Sequence, residues 1–104
     1  LEDRLIVAIL PQEIQVDDEL FDAIVNSKPF PGHYNRFYPQ ERISDYCHRR
    51  KIKYIDLLPD MRQIQPEKRK YFLQETHWNV TGNHIAAQSL SKALCMKLFE
   101  TNDL

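Results

Sequence analysis

Apolar residues run unbroken from Leu5 to Leu10 and stop at Pro11. A run of that length predicts a strand over 4–10, buried on both faces as in a parallel sheet. Leu20, Phe21, Ile24 and Val25 share one helical face, and Asp17, Asp18 and Glu19 before them suit a helix N-terminus. A helix is predicted over 17–26. Three prolines exclude regular structure from 27–39, a loop long enough to be functional or to cover a cleft. A second helix follows over 39–50, with Ile43, Tyr46 and Cys47 as its apolar stripe and His48-Arg49-Arg50-Lys51 at its C-terminus. Ile52, Tyr54, Ile55, Leu57 and Leu58 predict a strand over 51–58, ended by Pro59, with a short helical turn near 59–63. Tyr71-Phe72-Leu73 reads as a short strand or an anchored loop. From Val80 to Glu100, Ile85, Ala86, Leu90, Ala93, Leu94 and Leu98 recur at helical spacing, with Asn79 as N-cap.

Strands alternating with helices predict an α/β architecture with a parallel sheet. Only two strands are legible, and a strand buried on both faces needs neighbours, so the pattern predicts a partial domain. The chain has 104 residues, 42% apolar and 28% charged, with a formal net charge of −1. That excludes a multidomain enzyme within this length, a disordered tail and a disulfide scaffold. The first residues, Leu1-Glu2-Asp3-Arg4, do not form a secretory leader, and they lack an initiator Met. The expectation is a segment of a longer polypeptide with no membrane span of its own. Cys47 and Cys95 are expected as free thiols on buried helix faces.

Chemistry concentrates in Glu75-Thr76-His77-Trp78-Asn79-Val80-Thr81-Gly82. A carboxylate two residues before a histidine can orient the imidazole and stabilise its protonated form, as a general base requires. Gly82 stands in the first turn of a helix, where it costs ~1 kcal/mol relative to Ala; a Gly there can allow close packing against a strand or a neighbouring loop. Asp56 and Asp60, at the end of the second strand, are rival acids. In open α/β sheets, ligands bind at the carboxyl ends of strands, which places a cleft near Pro11 and Pro59.

The block Glu75-x-His77-Trp78-Asn79-x-x-Gly82 resembles the final block of SGNH (GDSL-type) hydrolases, where Asp-x-His-Trp-Asn is common. Leu5 to Gln15 and Ile52 to Arg62 resemble the strands that precede it. The resemblance implies the C-terminal portion of a three-layer αβα (flavodoxin-like) hydrolase fold and a serine esterase without metal or cofactor. His77 would be the catalytic base and Glu75 its acid partner, standing where the family has Asp. Trp78 and Asn79 would lie at the substrate. The substrate would be an ester, such as an acetylated polysaccharide or a lipid, and the location extracytoplasmic. The family's Gly-Asp-Ser nucleophile block is missing: the only glycines are Gly32 and Gly82, and Ser27, Ser44, Ser89 and Ser91 lack its context. The isolated chain is therefore expected to be inactive and to need the N-terminal remainder of the domain.

Other chemistries are weaker. His77, His84 and Glu75, with His33 or His48, could be metal ligands, but no Cys-x-x-Cys or His-Glu-x-x-His is present, and no metal is expected. The basic runs at 48–51 and 68–70 are offset by acids at 13, 17, 18, 19 and 22, so no nucleic-acid partner is expected. The alternative to an enzyme is a carbohydrate-binding or interaction module, using Phe30, His33, Tyr34, Phe37 and Tyr38 of the Pro-rich loop.

Overall fold

In the computed structural model, residues 4–27, 35–73 and 75–102 are described, with side chains to residue 97. Two short parallel strands, β1 (Ile6–Ile9) and β2 (Lys53–Asp56), pair in the register Ile6 with Lys53 through Ile9 with Asp56. The ladder continues one step further, with the Leu57 N–H donating to Ile9 O at 3.1 Å. Five helices are present among the described residues: α1 (Glu13–Val16), α2 (Asp18–Asn26), α3 (Tyr38–Arg49), α4 (Leu58–Gln63) and α5 (Val80–Asn102). The chain is thus α/β with a parallel sheet, of two strands among the described residues.

Local chemistry sets the boundaries. Asp17 caps α2, its carboxylate accepting from Leu20 N at 3.1 Å. Pro39 sits in the first turn of α3, where its missing N–H is no loss. The helix ends in a Schellman motif: Ile52 N donates to Cys47 O at 2.8 Å and Lys51 N to His48 O at 3.2 Å. Lys51 takes the left-handed conformation there, with φ of 57°, and turns the chain directly into β2. Pro59 opens α4, and Asp56 accepts from Leu58 N at 3.0 Å, fixing the strand-to-helix turn.

The core is one cluster of Ile55, Leu57, Met61, Ile85 and Ala86, with Ile6, Val16, Ile64, Trp78, Leu90 and Ala93 packed around it. Met61 and Leu57 are almost wholly removed from water, each worth roughly 1.5–3 kcal/mol. The cluster joins β2, α4 and α5, and it holds the N-terminal half of α5 fixed.

Several expectations are corrected. The first strand is not buried on both faces: Ala8 is exposed and only Ile9 is fully buried. Helix α1 was not expected. It starts from Gln12, whose N–H donates to Gln15 Oε1 at 2.8 Å. In α3, Ile43 and Tyr46 are exposed, and the buried positions are Cys47 and the polar Gln40, which pairs with Gln15. Cys95 is exposed, so only Cys47 is a buried thiol. In α5, Leu94 is exposed, while Leu98 lies outside the described side chains. No helix among the described residues is long and apolar enough to cross a membrane.

Candidate functional site

Residues 70–73 and 75–79 form the two arms of a narrow hairpin that leads into α5. Tyr71 and Trp78 pair as a single antiparallel bridge, and Phe72 N donates to His77 O at 3.0 Å. One residue further out, Asn79 N donates to Lys70 O at 2.9 Å. The Asn79 side chain then ties three segments together. Its Oδ1 accepts from Gly82 N at 2.9 Å, which is the N-cap of α5, and its Nδ2 donates to Arg69 O at 2.8 Å and Tyr71 O at 3.3 Å. Gly82 is the other half of the device. A Cβ there would clash with the Lys70 carbonyl and press on Trp78 Cβ, so only glycine lets α5 approach the hairpin this closely.

The hairpin is anchored to β1 by Tyr71, whose buried hydroxyl donates to Pro11 O at 2.7 Å. Burial pushes the Tyr71 phenol up from its ordinary range, so it remains the donor in this bond. The contact sets the strand exit beside the hairpin tip. Leu10, Pro11 and Gln12 form one wall of an open cleft of about 560 Å³; Thr76, His77, Trp78 and Asn83 form the other.

At the cleft's edge, the Nδ1 of the lining His77 lies 2.8 Å from Glu75 Oε1. The side chains are 79% and 54% exposed. An ion pair that wet contributes about 0–1 kcal/mol to stability, so its main effect is on the orientation of the ring. With Nδ1 engaged, Nε2 is the nitrogen left for proton transfer.

The structure brings His77 and Trp78 to the carboxyl end of β1, with Glu75 paired to His77. The rival acids are engaged elsewhere: Asp56 with Leu58 N, and Asp60 accepting from Ser89 Oγ at 2.6 Å. Trp78 both lines the cleft and packs on the core. Asn79 does not line the cleft, since its amide holds the backbone; Asn83, one turn on, does. Sequence reasoning missed Asn83. The only available signal was its place one turn inside a helix that starts from the His loop. Pro11 belongs to the cleft, and Pro59 does not.

The remaining candidates are dispersed. Phe37 lies under the guanidinium groups of Arg36 and Arg62, at 5.2 and 5.4 Å, and Tyr38 lies under Arg42. Phe30, His33 and Tyr34 lie outside the described residues. Lys70 is buried with its ammonium on Gln65 O, so the run at 68–70 does not form one basic face. Among the described residues, no three His, Cys, Asp or Glu side chains are grouped to hold a metal ion.

Fold and site together define an α/β unit that carries a carboxylate–histidine pair at a strand's carboxyl end. Among known proteins, the chain is similar to the probable alginate O-acetylase AlgJ of Pseudomonas putida, 26% identical over 91 residues. The match covers 88% of this chain but 22% of the relative, so the chain spans about a fifth of the length of the curated protein it matches. No family model matches, and no solved structure matches.

Proposed function

We propose that this chain supplies the general-base portion of an acyl-transfer site acting on ester groups, with an acetylated polysaccharide as the substrate class. The observation that carries the reading is His77, which lines an open cleft beside Pro11 and has Glu75 Oε1 2.8 Å from its Nδ1. The similarity to a protein named as an O-acetylase supports acetyl chemistry. Hydrolysis of an ester and transfer of its acyl group to another hydroxyl use the same base, so both belong to this reading.

In the proposed step, His77 Nε2 takes the proton from a nucleophilic hydroxyl as its oxygen bonds to the acyl carbon. The imidazolium then returns that proton to the departing alkoxide. Glu75 accepts the Nδ1–H, which holds the ring in the needed tautomer and stabilises the charged form. Trp78 and Leu10 give the cleft apolar walls. The serine nucleophile and the oxyanion donors come from polypeptide outside these 104 residues, as part of a larger three-layer domain.

The test is turnover of an acetyl ester by the longer polypeptide that carries this segment. His77→Ala is expected to lower kcat by about 10³-fold, within the range for a lost general base. Glu75→Gln should lower it by less, because the ring keeps a hydrogen-bond partner. The 104-residue chain alone should show no turnover. Normal kcat in His77→Ala, or ester turnover by the isolated chain, would remove this reading.

A further inference from the structure

We infer that Asn83 is a specificity-determining residue that reads a free hydroxyl on the substrate's sugar ring. The inference rests on the polysaccharide acyl-transfer reading and deepens it. Asn83 lines the same cleft as His77 and Trp78. Its amide is held from behind: Nδ2 donates to Trp78 O at 3.3 Å and to Asn79 O at 3.1 Å. Both bonds go to backbone that is itself fixed by the hairpin and the first turn of α5. The amide cannot be turned round, because its oxygen would then face two carbonyl oxygens. The group that Asn83 has left for the cleft is Oδ1, which only accepts.

An oriented acceptor in a cleft selects a donor. Leu10, Pro11 and Trp78 give the cleft apolar walls that suit the C–H face of a sugar ring. A ring hydroxyl beside the reacting ester supplies the donor, whereas an ether or an ester at that position leaves Oδ1 without a partner. Asn83 would thus distinguish a ring position that is free from one already substituted. Discrimination of that kind is strongest where an unpaired polar group is the alternative.

The experiment measures binding of two probes, by NMR, to the longer polypeptide that carries this segment: an alginate tetramer and the same tetramer with its hydroxyls O-methylated. The wild-type polypeptide should prefer the free tetramer by about fivefold, the worth of one hydrogen bond. The Asn83 side-chain NH₂ signals should shift with the free tetramer and not with the methylated one, a readout that needs no variant. In Asn83→Leu the preference should vanish while affinity for the methylated probe is kept. A merely structural role would weaken both probes alike and overturns the inference. Binding at Pro11, His77 and Trp78 without hydroxyl preference also overturns it, and leaves the acyl-transfer site standing. No binding of either probe at millimolar concentration overturns both the inference and the polysaccharide reading.

Discussion

In the hairpin whose arms are residues 70–73 and 75–79 the backbone is tied to itself, and the ionisable side chains of Glu75 and His77 are exposed. In the corner around Asp18 the ionisable side chains make the ties. There, Arg36 reaches Asp18 at 2.7 Å and Ile14 O at 2.9 Å, and it lies over the Phe21 ring at 4.4 Å. Arg62 joins the same carboxylate at 3.1 Å and also donates to Gln15 O at 2.8 Å. The hairpin instead uses Lys70 O, His77 O and one amide side chain, and so leaves Glu75 to pair with His77, which lines the cleft. Density of charge is therefore a poor guide to chemistry in this chain. A charged group is available for chemistry where neutral groups hold the fold.

The strongest way to break this contrast is to remove the close approach that fixes the hairpin. Gly82→Val puts branched bulk against the Lys70 carbonyl, which is backbone and already bonded to Asn79 N. Helix propensity returns little, because Val is only slightly better than Gly in a helix. The expected loss is about 3 kcal/mol, at the upper end of overpacking costs. Urea unfolding followed by circular dichroism measures it. An unchanged midpoint would show that α5 and the hairpin can separate without cost.

Asn79→Ala is expected to cost about 2 kcal/mol. It removes an N-cap worth ~1 kcal/mol and the two bonds to Arg69 O and Tyr71 O. Asn79→Asp separates the two contributions, since it keeps the cap oxygen and loses the donors. It should recover about half of the loss in the same unfolding assay. If Ala and Asp cost equally, the cap contributes nothing and the hairpin ties carry the whole effect.

How much of this was legible in the sequence depends on how far apart the partners lie. The helices over 17–26, 39–50 and 80–100 follow from local periodicity and caps, and α2, α3 and α5 stand there within a few residues. The α/β alternation was readable for the same reason. Helix α1 was not, because Glu13-Ile14-Gln15-Val16 is too short for a periodic signal. Its Gln15 is held by Gln40 and Arg36, more than twenty residues away. The same distant amide pair explains why Gln40 is buried while Ile43 and Tyr46 are not. At the site, Glu75 and His77 are two residues apart, so their pairing was readable. The wall formed by Leu10, Pro11 and Gln12 depends on the Tyr71–Pro11 bond across sixty residues, and with it the place of Asn83 in the cleft.

The smallest effect sharpens the other side of the comparison, since the Asp18 corner should respond to pH through its own carboxylate. The Arg36 and Arg62 guanidinium groups bonded to Asp18 hold its carboxyl below the ordinary value of 3.8. A depressed carboxylate contributes stability above its unfolded value and loses it as pH falls through the folded one, so the contribution fades below pH 3.8. Glu13 acts in the opposite sense. Burial raises it above its ordinary 4.5, so folding favours its protonated form and its charge opposes folding above that pH. Asp18→Asn should therefore flatten the loss of stability below pH 4, while Glu13→Gln should raise stability at pH 7 and steepen the decline on acidification. Urea midpoints measured from pH 7 down to pH 3 check both. Because Asp18 is 64% exposed, water and salt weaken its bonds, and the Asp18→Asn difference should shrink further in 1 M salt. If that variant stayed parallel to the wild type across the whole range, the two arginines would hold the corner through Ile14 O, Gln15 O and the Phe rings alone.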